Sequence, residues 1–419
     1  MTPHRPGATC QTPVVQPIGS HSARARALDD ADPLAEFRSR FVIDDPDLVY
    51  LDGNSLGRLP RATVARLDRL VRDEWGGSLV RGWDDWIDAP ARVGELIGGR
   101  LLGAQPDETI VGDSTTVNLY RLALAALEAR PNRSTVIVPR DEFPTDRYVL
   151  ERLSATRGLE IRWLDSDPVE GLTSDDLAAV LDDDVGLVLL SLVNYRSAAL
   201  LDPAAITALA HAAGALILWD LSHAAGSVPV DLEAAGADLA VGCTYKYLNG
   251  GPGAPAFLYV RRSRQSELRN PIGGWFGQRD QFAMGPRYDP QPGIRGWLAG
   301  TPPIPALAAV EEGVRLTAEA GIAAIRTKGV ALTEFAIELL DERLAPLGCT
   351  LGSPRDPARR GAHVAIRHPA ARELTTALIE RGVVPDFREP DSIRFGLPPL
   401  TTSFADVATG VERLGELLD

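Results

Sequence analysis

The sequence predicts an α/β protein: a large domain with a mostly parallel central sheet sandwiched by helices, and a smaller α/β C-terminal domain. From Ser134 onward, the apolar runs STVIV, LEIRWL, VGLVLLS and ALILW alternate with helical segments. Most of these strands are apolar throughout, as is typical of parallel strands that are buried on both faces. A chain of 419 residues, 45% of them hydrophobic, is also long enough for two domains.

Composition and pattern predict the domain boundaries. Residues 1–30 are rich in Pro, Ser, Arg, Ala and Gly and are predicted to form a disordered tail. The tail lacks the apolar core of a secretory signal, although its arginines leave a transit peptide as an alternative. The predicted large domain spans residues 61–304. Residues 31–60 and 305–419 together form the predicted small domain.

Charge and cysteine usage exclude several classes of function. The net charge of -14 argues against nucleic-acid binding, and no apolar run is long enough to cross a membrane. The three cysteines, Cys10, Cys243 and Cys349, are odd in number and widely spaced, which predicts no disulfide framework and a reducing, cytoplasmic location. The six histidines lack the spacing of metal ligands, so no metal site is predicted.

Two segments on either side of the predicted start of the large domain carry small polar and aromatic groups. Leu48–Pro60 (LVYLDGNSLGRLP) is interpreted as a short strand followed by a glycine-rich turn that contains Ser55. Three tryptophans, including Trp83, fall within WGGSLVRGWDDW. Such a cluster usually packs in a core or an interface, and the alternative is an aromatic wall for a flat substrate.

Two strand-to-helix loops offer groups for an anion and for an aromatic ring. In GDSTTVNLYRLALAAL, Thr115 and Thr116 stand at a helix start, where hydroxyls, free amides and the helix dipole favour an anion. In EFPTDRY, Phe143 could stack on a ring and Asp146 could hydrogen-bond to it. The alternative is an ordinary helix start, with Pro144 in the first turn and Asp146 interacting with the dipole.

The stretch Leu218–Gly253 holds two charged residues at predicted strand ends. Asp220 closes the run ALILW, and Lys246 follows DLAVGC. Ligands bind at the carboxyl ends of strands in α/β sheets, so both side chains are predicted to meet at one site. The pair suits pyridoxal phosphate, whose aldehyde takes a lysine and whose pyridine nitrogen takes a carboxylate. His223 is predicted to hydrogen-bond the cofactor phosphate or Asp220, the alternative being a packed histidine.

Together these motifs resemble kynureninase, a pyridoxal phosphate enzyme of fold type I in the class V aminotransferase group. The resemblance rests on YLDGNSLG at 50–57, DLSH at 220–223 and TYKYLNGGPGAPAF at 244–257, with STTVN, FPTD and IRFG elsewhere. It extends from about residue 51 to near the C-terminus. It implies the bacterial type of enzyme, pyridoxal 5'-phosphate as cofactor, a small-molecule amino-acid substrate, and a homodimer with its active site at the subunit interface.

The resemblance also implies roles for individual residues. The implied catalytic residues are Lys246, Asp220 and Tyr245. The implied cofactor-binding residues are Thr115, Thr116, Phe143, Asp146, Asp220, His223, Tyr245, Lys246, Trp275 and Thr301. Trp275 would give its indole N–H to the cofactor phosphate.

The substrate would contact Ser55, Trp83 and Arg394 in this resemblance. A guanidinium is the natural bidentate partner of an α-carboxylate, although spacing alone leaves a surface arginine as the alternative for Arg394. Two positions depart from the family pattern: Gln278 stands where the family has a histidine, and Thr401 stands where it has a tyrosine. These departures affect the detailed substrate contacts.

The implied reaction is hydrolysis of the Cβ–Cγ bond of L-kynurenine, or of a ring-substituted kynurenine, to an anthranilate and L-alanine. It would belong to tryptophan catabolism or to a secondary-metabolite pathway. One alternative is another class V reaction, either transamination or cysteine desulfuration, of which the second needs a mobile cysteine nucleophile. The other is an interaction protein without a cofactor, against which the presence of Lys246 argues.

Overall fold

The computed structural model describes residues 18–419 of the chain. The strands are β1 (Val49–Tyr50), β2 (Thr109–Val111), β3 (Thr135–Pro139), β4 (Glu160–Leu164), β5 (Val185–Ser191), β6 (Leu216–Asp220), β7 (Leu239–Gly242), β8 (Phe257–Val260), β9 (Thr350–Leu351), β10 (His363–Arg367), β11 (Val383–Val384), β12 (Asp386–Arg388) and β13 (Ser392–Gly396). The α-helices are α1 (Ile18–Asp30), α2 (Arg61–Arg69), α3 (Trp83–Trp86), α4 (Ala89–Leu101), α5 (Thr115–Glu128), α6 (Pro144–Arg157), α7 (Ser174–Ala178), α8 (Pro203–Ala212), α9 (Ile304–Ala320), α10 (Ile322–Leu339), α11 (Ala371–Glu380) and α12 (Phe404–Leu418).

A seven-stranded sheet in the order β2-β8-β7-β6-β5-β3-β4 forms the centre of the larger part of the molecule. Its strands run in parallel except β8, which is antiparallel to both of its neighbours. Along β6, Leu216 and Leu218 belong to one buried apolar cluster, whereas Ile217 and Trp219 belong to another. Because alternate residues of a strand face opposite sides, both faces of the sheet are covered. The predicted, mostly parallel α/β sheet is confirmed.

Local capping explains where the helices beside this sheet begin and end. The hydroxyl of Ser114 accepts a hydrogen bond from the backbone of α5, and Asp202 does the same for α8. α6 begins at Pro144, which needs no amide partner there, and is capped at its C-terminus by Gly158, whose φ of 68° lies in the left-handed region. The caps hold the start of each helix close to a strand end, where the candidate site residues lie.

The C-terminal part of the chain has a separate four-stranded antiparallel sheet in the order β12-β13-β10-β9. α10, α11 and α12 pack around a third apolar cluster, which includes Phe335, Phe395 and Leu414. β1 pairs in parallel with β11, so this early strand joins the C-terminal part and not the large sheet. β13 carries Arg394, directly opposite Asp386 on β12.

The prediction of a disordered tail is wrong for residues 18–30, which form α1; residues 1–17 of the predicted tail lie outside the described residues. α1 packs against α12. The carboxylate of Asp29 accepts hydrogen bonds from the backbone N–H groups of Phe404 at 2.7 Å and Ala405 at 3.0 Å, which are the first amides of α12. The polar sequence of α1 predicts little order in isolation, and the tertiary contacts with α12 stabilise the helix.

Among residues 18–419, no helix combines the length and the apolar character that crossing a bilayer requires. Cys243 and Cys349 are free thiols and both are buried. Cys10 lies outside the described residues.

Candidate active site

The loops at the carboxyl edge of the large sheet enclose a cavity of about 440 Å³. Eight of the predicted cofactor-binding residues line it: Thr115, Thr116, Phe143, Asp220, His223, Tyr245, Lys246 and Thr301. They come from the ends of several strands and from the segment before α9. The structure therefore brings together residues that are far apart in the sequence, as expected at this edge of an α/β sheet.

The chain contains only two lysines, and they lie in very different surroundings. Lys328 forms a buried ion pair with Asp32, with 2.6 Å between Nζ and Oδ2. Lys246 instead has its Nζ 2.8 Å from Nε2 of His223 and 5.7 Å from the centre of the Phe143 ring. Burial lowers the pKa of Lys246, which favours the neutral, nucleophilic amine. Lys246 is thus the lysine in this chain suited to covalent attachment of an aldehyde.

His223 is a neutral hydrogen-bond partner of this lysine. Burial, and then the charge of Lys246, lower the pKa of His223 well below its usual value. A neutral imidazole that accepts at Nε2 carries its proton on Nδ1, so the amine of Lys246 donates to Nε2. Nδ1 of His223 is buried without a partner among the described residues. Its N–H is therefore available to a group bound in the cavity.

Asp220 and Asp146 form a pair of buried carboxyl groups behind the cavity. Asp220, at the end of β6, accepts a hydrogen bond from the backbone N–H of Ser222 at 2.6 Å. Asp146 lies in the first turn of α6, and neither of its carboxyl oxygens has a hydrogen-bond donor within residues 18–419. Burial raises the pKa of both groups, and the charge of Asp220 raises that of Asp146 further. Two such acids side by side favour a cation or a polar N–H group as their ligand.

Glu142 is a third buried acid, and the sequence analysis did not single it out. Its carboxylate accepts hydrogen bonds from the backbone N–H of Phe143 at 2.8 Å and from the backbone N–H and hydroxyl of Ser191 at 2.7 and 2.5 Å. Burial raises the pKa of Glu142 to about 7, and the charge of Asp220 contributes. Glu142 ties the loop that carries Phe143 to the end of β5. In the sequence it is one acid among many before a helix, so no local signal distinguishes it.

A glycine allows the N-terminal loop to reach the lysine. The backbone N–H of Gly57 donates to the carbonyl of Tyr245 at 2.8 Å. A Cβ at Gly57 would lie 2.2 Å from the carbonyl oxygen of Lys246, which is closer than any side chain can approach. The predicted glycine-rich turn is therefore needed for close backbone approach at this site.

Of the predicted substrate-binding residues, the structure brings two together and separates the third. Nη2 of Arg394 donates to the hydroxyl of Ser55 at 2.9 Å, and the guanidinium also donates to the carbonyl of Tyr195, which lines the cavity. Trp83 packs against Trp86 and Phe276, with ring centres 5.7 and 5.6 Å apart, and does not line the cavity. Within one chain, the structure supports the packing interpretation of Trp83.

Trp275 also lies outside the cavity of its own chain. It is 41% exposed and contacts Phe276 edge-on, with ring centres 4.6 Å apart. The predicted contact between its indole N–H and the cofactor phosphate is therefore not formed within a single chain.

The polar groups of the cavity fit pyridoxal phosphate. Asp146 and His223 have buried polar atoms without partners, and such atoms are expected where a ligand completes their hydrogen bonds. Thr115 and Thr116 present hydroxyls and free amides at the start of α5, where the helix dipole favours a phosphate. Phe143 lies beside Lys246 as a flat surface for a ring.

Solved structures share this fold. Cysteine desulfurases from Thermococcus onnurineus NA1 and Escherichia coli (CsdA) have TM-scores of 0.77 and 0.78 to this chain, covering 88% and 92% of it and 94% and 99% of their own chains. Both are 18% identical to it, a level at which the likeness shows the fold alone. Fold and site together define a pyridoxal-phosphate-dependent enzyme of fold type I.

Sequence relatives identify the family more closely. Kynureninases from Pseudomonas fluorescens and Burkholderia mallei (strain SAVP1) are 44% and 43% identical over 401 and 403 residues, covering 94% of this chain and 94% and 95% of theirs. Residues 325–414 match the family model of the kynureninase C-terminal domain. The chain belongs to the kynureninase family, and the resemblance noted from its motifs is confirmed.

Proposed function

We propose that this enzyme hydrolyses the Cβ–Cγ bond of L-kynurenine, or of a ring-substituted kynurenine, to an anthranilate and L-alanine. Membership of the kynureninase family supports this reaction. At the site, the observation that carries the proposal is the position of Lys246, which is buried in the cavity wall 2.8 Å from a neutral His223, with Asp220 at the end of β6 lining the same cavity.

The side chains around the cavity suit the binding of the cofactor in one orientation. Pyridoxal phosphate, when bound, supplies an electron sink for negative charge that develops on the substrate. Asp220 would hold a proton on the pyridine nitrogen, since a nearby carboxylate favours the charged ring. Phe143 would cover the ring, and Thr115 and Thr116 would donate hydrogen bonds to the phosphate.

Lys246 and its neighbours would then control proton transfer. The lowered pKa of Lys246 lets its amine take up the proton at the substrate Cα, and the hydrogen bond to His223 keeps Nζ in place. Burial raises the pKa of Tyr245, so its phenol stays protonated on the cavity wall and can donate a hydrogen bond. Arg394, with Ser55, would bind the α-carboxylate.

The cysteines argue against desulfuration as the alternative reaction. That reaction needs an accessible thiolate on a mobile segment. Cys349 is 2% exposed and burial raises its pKa to about 11; Cys243 is 3% exposed and burial raises its pKa too. Within residues 18–419, neither thiol has the properties of a nucleophile.

A product assay with the enzyme loaded with pyridoxal phosphate tests the function. L-Kynurenine and 3-hydroxykynurenine are compared side by side, and we expect one anthranilate and one L-alanine for each substrate molecule consumed. The ratio of the two kcat/KM values then identifies the preferred ring. Release of sulfide from cysteine, or an amino-group transfer without C–C cleavage, would contradict the proposal.

We also propose that the active enzyme is a homodimer with its site at the interface. Trp275 is exposed on its own chain, and the same segment exposes Ile272, Phe282, Met284 and Tyr288, which together form the kind of apolar surface that a partner covers. A second copy could bring Trp275 to the phosphate of its partner's cofactor. Analytical ultracentrifugation tests this assembly, and a fully active monomer would contradict it.

The pathway and the compartment remain predictions. Tryptophan catabolism and a secondary-metabolite pathway both supply kynurenines. The product assay described above distinguishes these pathways only by showing which substrate ring the enzyme prefers. A cytoplasmic location is predicted from the cysteine usage, and cell fractionation tests it.

A further inference from the structure

Arg394 has little free hydrogen-bonding capacity in the structure. Its side chain is 1% exposed and does not line the cavity. An arginine has five N–H donors. Here Nε donates to Asn54 at 2.8 Å when that amide is oriented to match its neighbours, and Nη1 donates to the carbonyl of Tyr195. Nη2 donates to Ser55 at 2.9 Å and to Asp386 at 2.5 Å.

This accounting leaves one N–H of Arg394 unused. A carboxylate that binds a guanidinium in the bidentate mode needs two parallel N–H groups. The α-carboxylate of a substrate can therefore bind Arg394 in this way only after one of its present partners has left.

Asp386 is the partner that an arriving carboxylate would displace. Of the four hydrogen-bond partners of Arg394, only Asp386 carries a charge. The negative charge of the substrate therefore repels Asp386 and not the three neutral partners. Its Oδ2 already lies 2.6 Å from Nη2 of Arg388, a second cation on the same strand. Asp386 that leaves Arg394 would still be paired with Arg388, so no buried charge would be left without a partner.

On the basis of the proposed function, in which Arg394 binds the α-carboxylate, we propose that Asp386 is a positioning residue that occupies Arg394 and competes with the substrate carboxylate until that carboxylate replaces it. A ligand without a carboxylate cannot replace the lost ion pair. Such a ligand leaves Arg394 paired with Asp386, so the competition weakens the binding of amino acids and not that of the corresponding amines.

The test is Asp386→Asn, assayed in chloride-free buffer so that no small anion takes the vacated place. Asparagine keeps the shape and one carbonyl oxygen, and its amide takes the place of Oδ1, which has no hydrogen-bond donor among the described residues. We expect the KM for L-kynurenine to fall about fivefold while kcat changes less than about twofold, since a competing charge has been removed. The decarboxylated amine of kynurenine, used as a competitive inhibitor, should bind both enzymes equally.

Asp391→Asn is the matched control. It removes the same charge from a residue next to the same antiparallel sheet, where Asp391 pairs with Arg367 at 2.8 Å and not with Arg394, and its KM should equal that of the wild type. A KM that is unchanged or raised in Asp386→Asn would overturn the inference. Arg394→Lys tests separately whether Arg394 binds the α-carboxylate at all. A raised KM in this variant supports the proposed carboxylate site, whereas a wild-type KM would overturn that site itself.

Discussion

The cofactor site and the charge cluster around Arg394 treat buried charge in opposite ways. At the cofactor site, both carboxyl oxygens of Asp146 and Nδ1 of His223 are buried without partners among the described residues. Around Arg394, the cation is already paired with Asp386, and Asp386 is shared with Arg388. The first site is completed by an incoming group, and the second must exchange a partner to admit one. Binding at the first site is thus expected to be unopposed, whereas binding at the second must compete with an existing ion pair.

The two sites are also assembled differently. The cofactor site is built from the ends of neighbouring strands of one sheet, so the fold brings its residues together directly. The cluster joins Ser55 of the N-terminal loop, Tyr195 of the loop after β5, and the antiparallel strands β12 and β13. Its geometry depends on how the two parts of the molecule meet.

The largest expected effect tests whether Lys246 is the residue to which the incoming cofactor attaches. Lys246→Ala should fold but lose turnover by at least about 1,000-fold, because the group that attaches the aldehyde and moves the proton is gone. After borohydride treatment, mass spectrometry should find no cofactor on this variant. Lys328→Arg, which changes the only other lysine and can keep the pair with Asp32, should still be labelled. Cofactor still covalently attached to Lys246→Ala would rule the assignment out.

A second test measures what the crowded acids cost the cofactor-free enzyme. The pKa of Glu142 is raised from 4.5 to about 7, so the folded state binds the proton more tightly than the unfolded state. Its contribution to stability is therefore fully present below pH 4.5 and is lost as the pH rises toward about 7. Glu142→Gln removes this loss. The stability of the variant relative to the wild type should rise by about 2 kcal/mol between about pH 5 and about pH 8.

Urea unfolding of the cofactor-free proteins at the two pH values measures this difference. Asp141→Asn is the matched control, since the neighbouring acid hydrogen-bonds the side chains of Ser166 and Asn194 at the same loop. The control should show no comparable change between the two pH values. An equal change in both variants would mean that the charge of Glu142 is not the cause. It would also weaken the contrast between the cofactor site and the charge cluster around Arg394.

The smallest expected effect tests whether the charge cluster around Arg394 depends on the contact between α1 and α12. Asp29→Ala removes the cap that α1 gives to α12 and should lower the free energy of unfolding by about 1 kcal/mol. Asp30→Ala, at the exposed neighbouring position, should cost less than about 0.5 kcal/mol. Thermal or urea unfolding measures both. The KM for L-kynurenine should not change, and a large rise would show that α1 helps to position Arg394.

The sequence by itself determined the large sheet and predicted eight of the residues that line the cavity. Apolar strands that alternate with helices can bury both faces only as a covered parallel sheet, and the strand ends then bring Asp220 and Lys246 to one edge. Motifs such as DLSH and TYKYLNGGPG each place several functional groups within a few residues, so local pattern was sufficient. The same reasoning found Thr115 and Thr116, because a helix start is visible in the sequence.

Only the tertiary structure decided the partners of those residues. Glu142 gains its importance from its contact with Ser191, and Asp386 from its contacts with Ser55 and Arg394. A buried acid cannot be told from a solvated one by its neighbours in sequence. α1 was missed for the same reason, since its order depends on α12, far away in the chain. Sequence pattern predicts which residues face a core or a strand end. Burial and long-range pairing set their charge, and these exist only once the chain has folded.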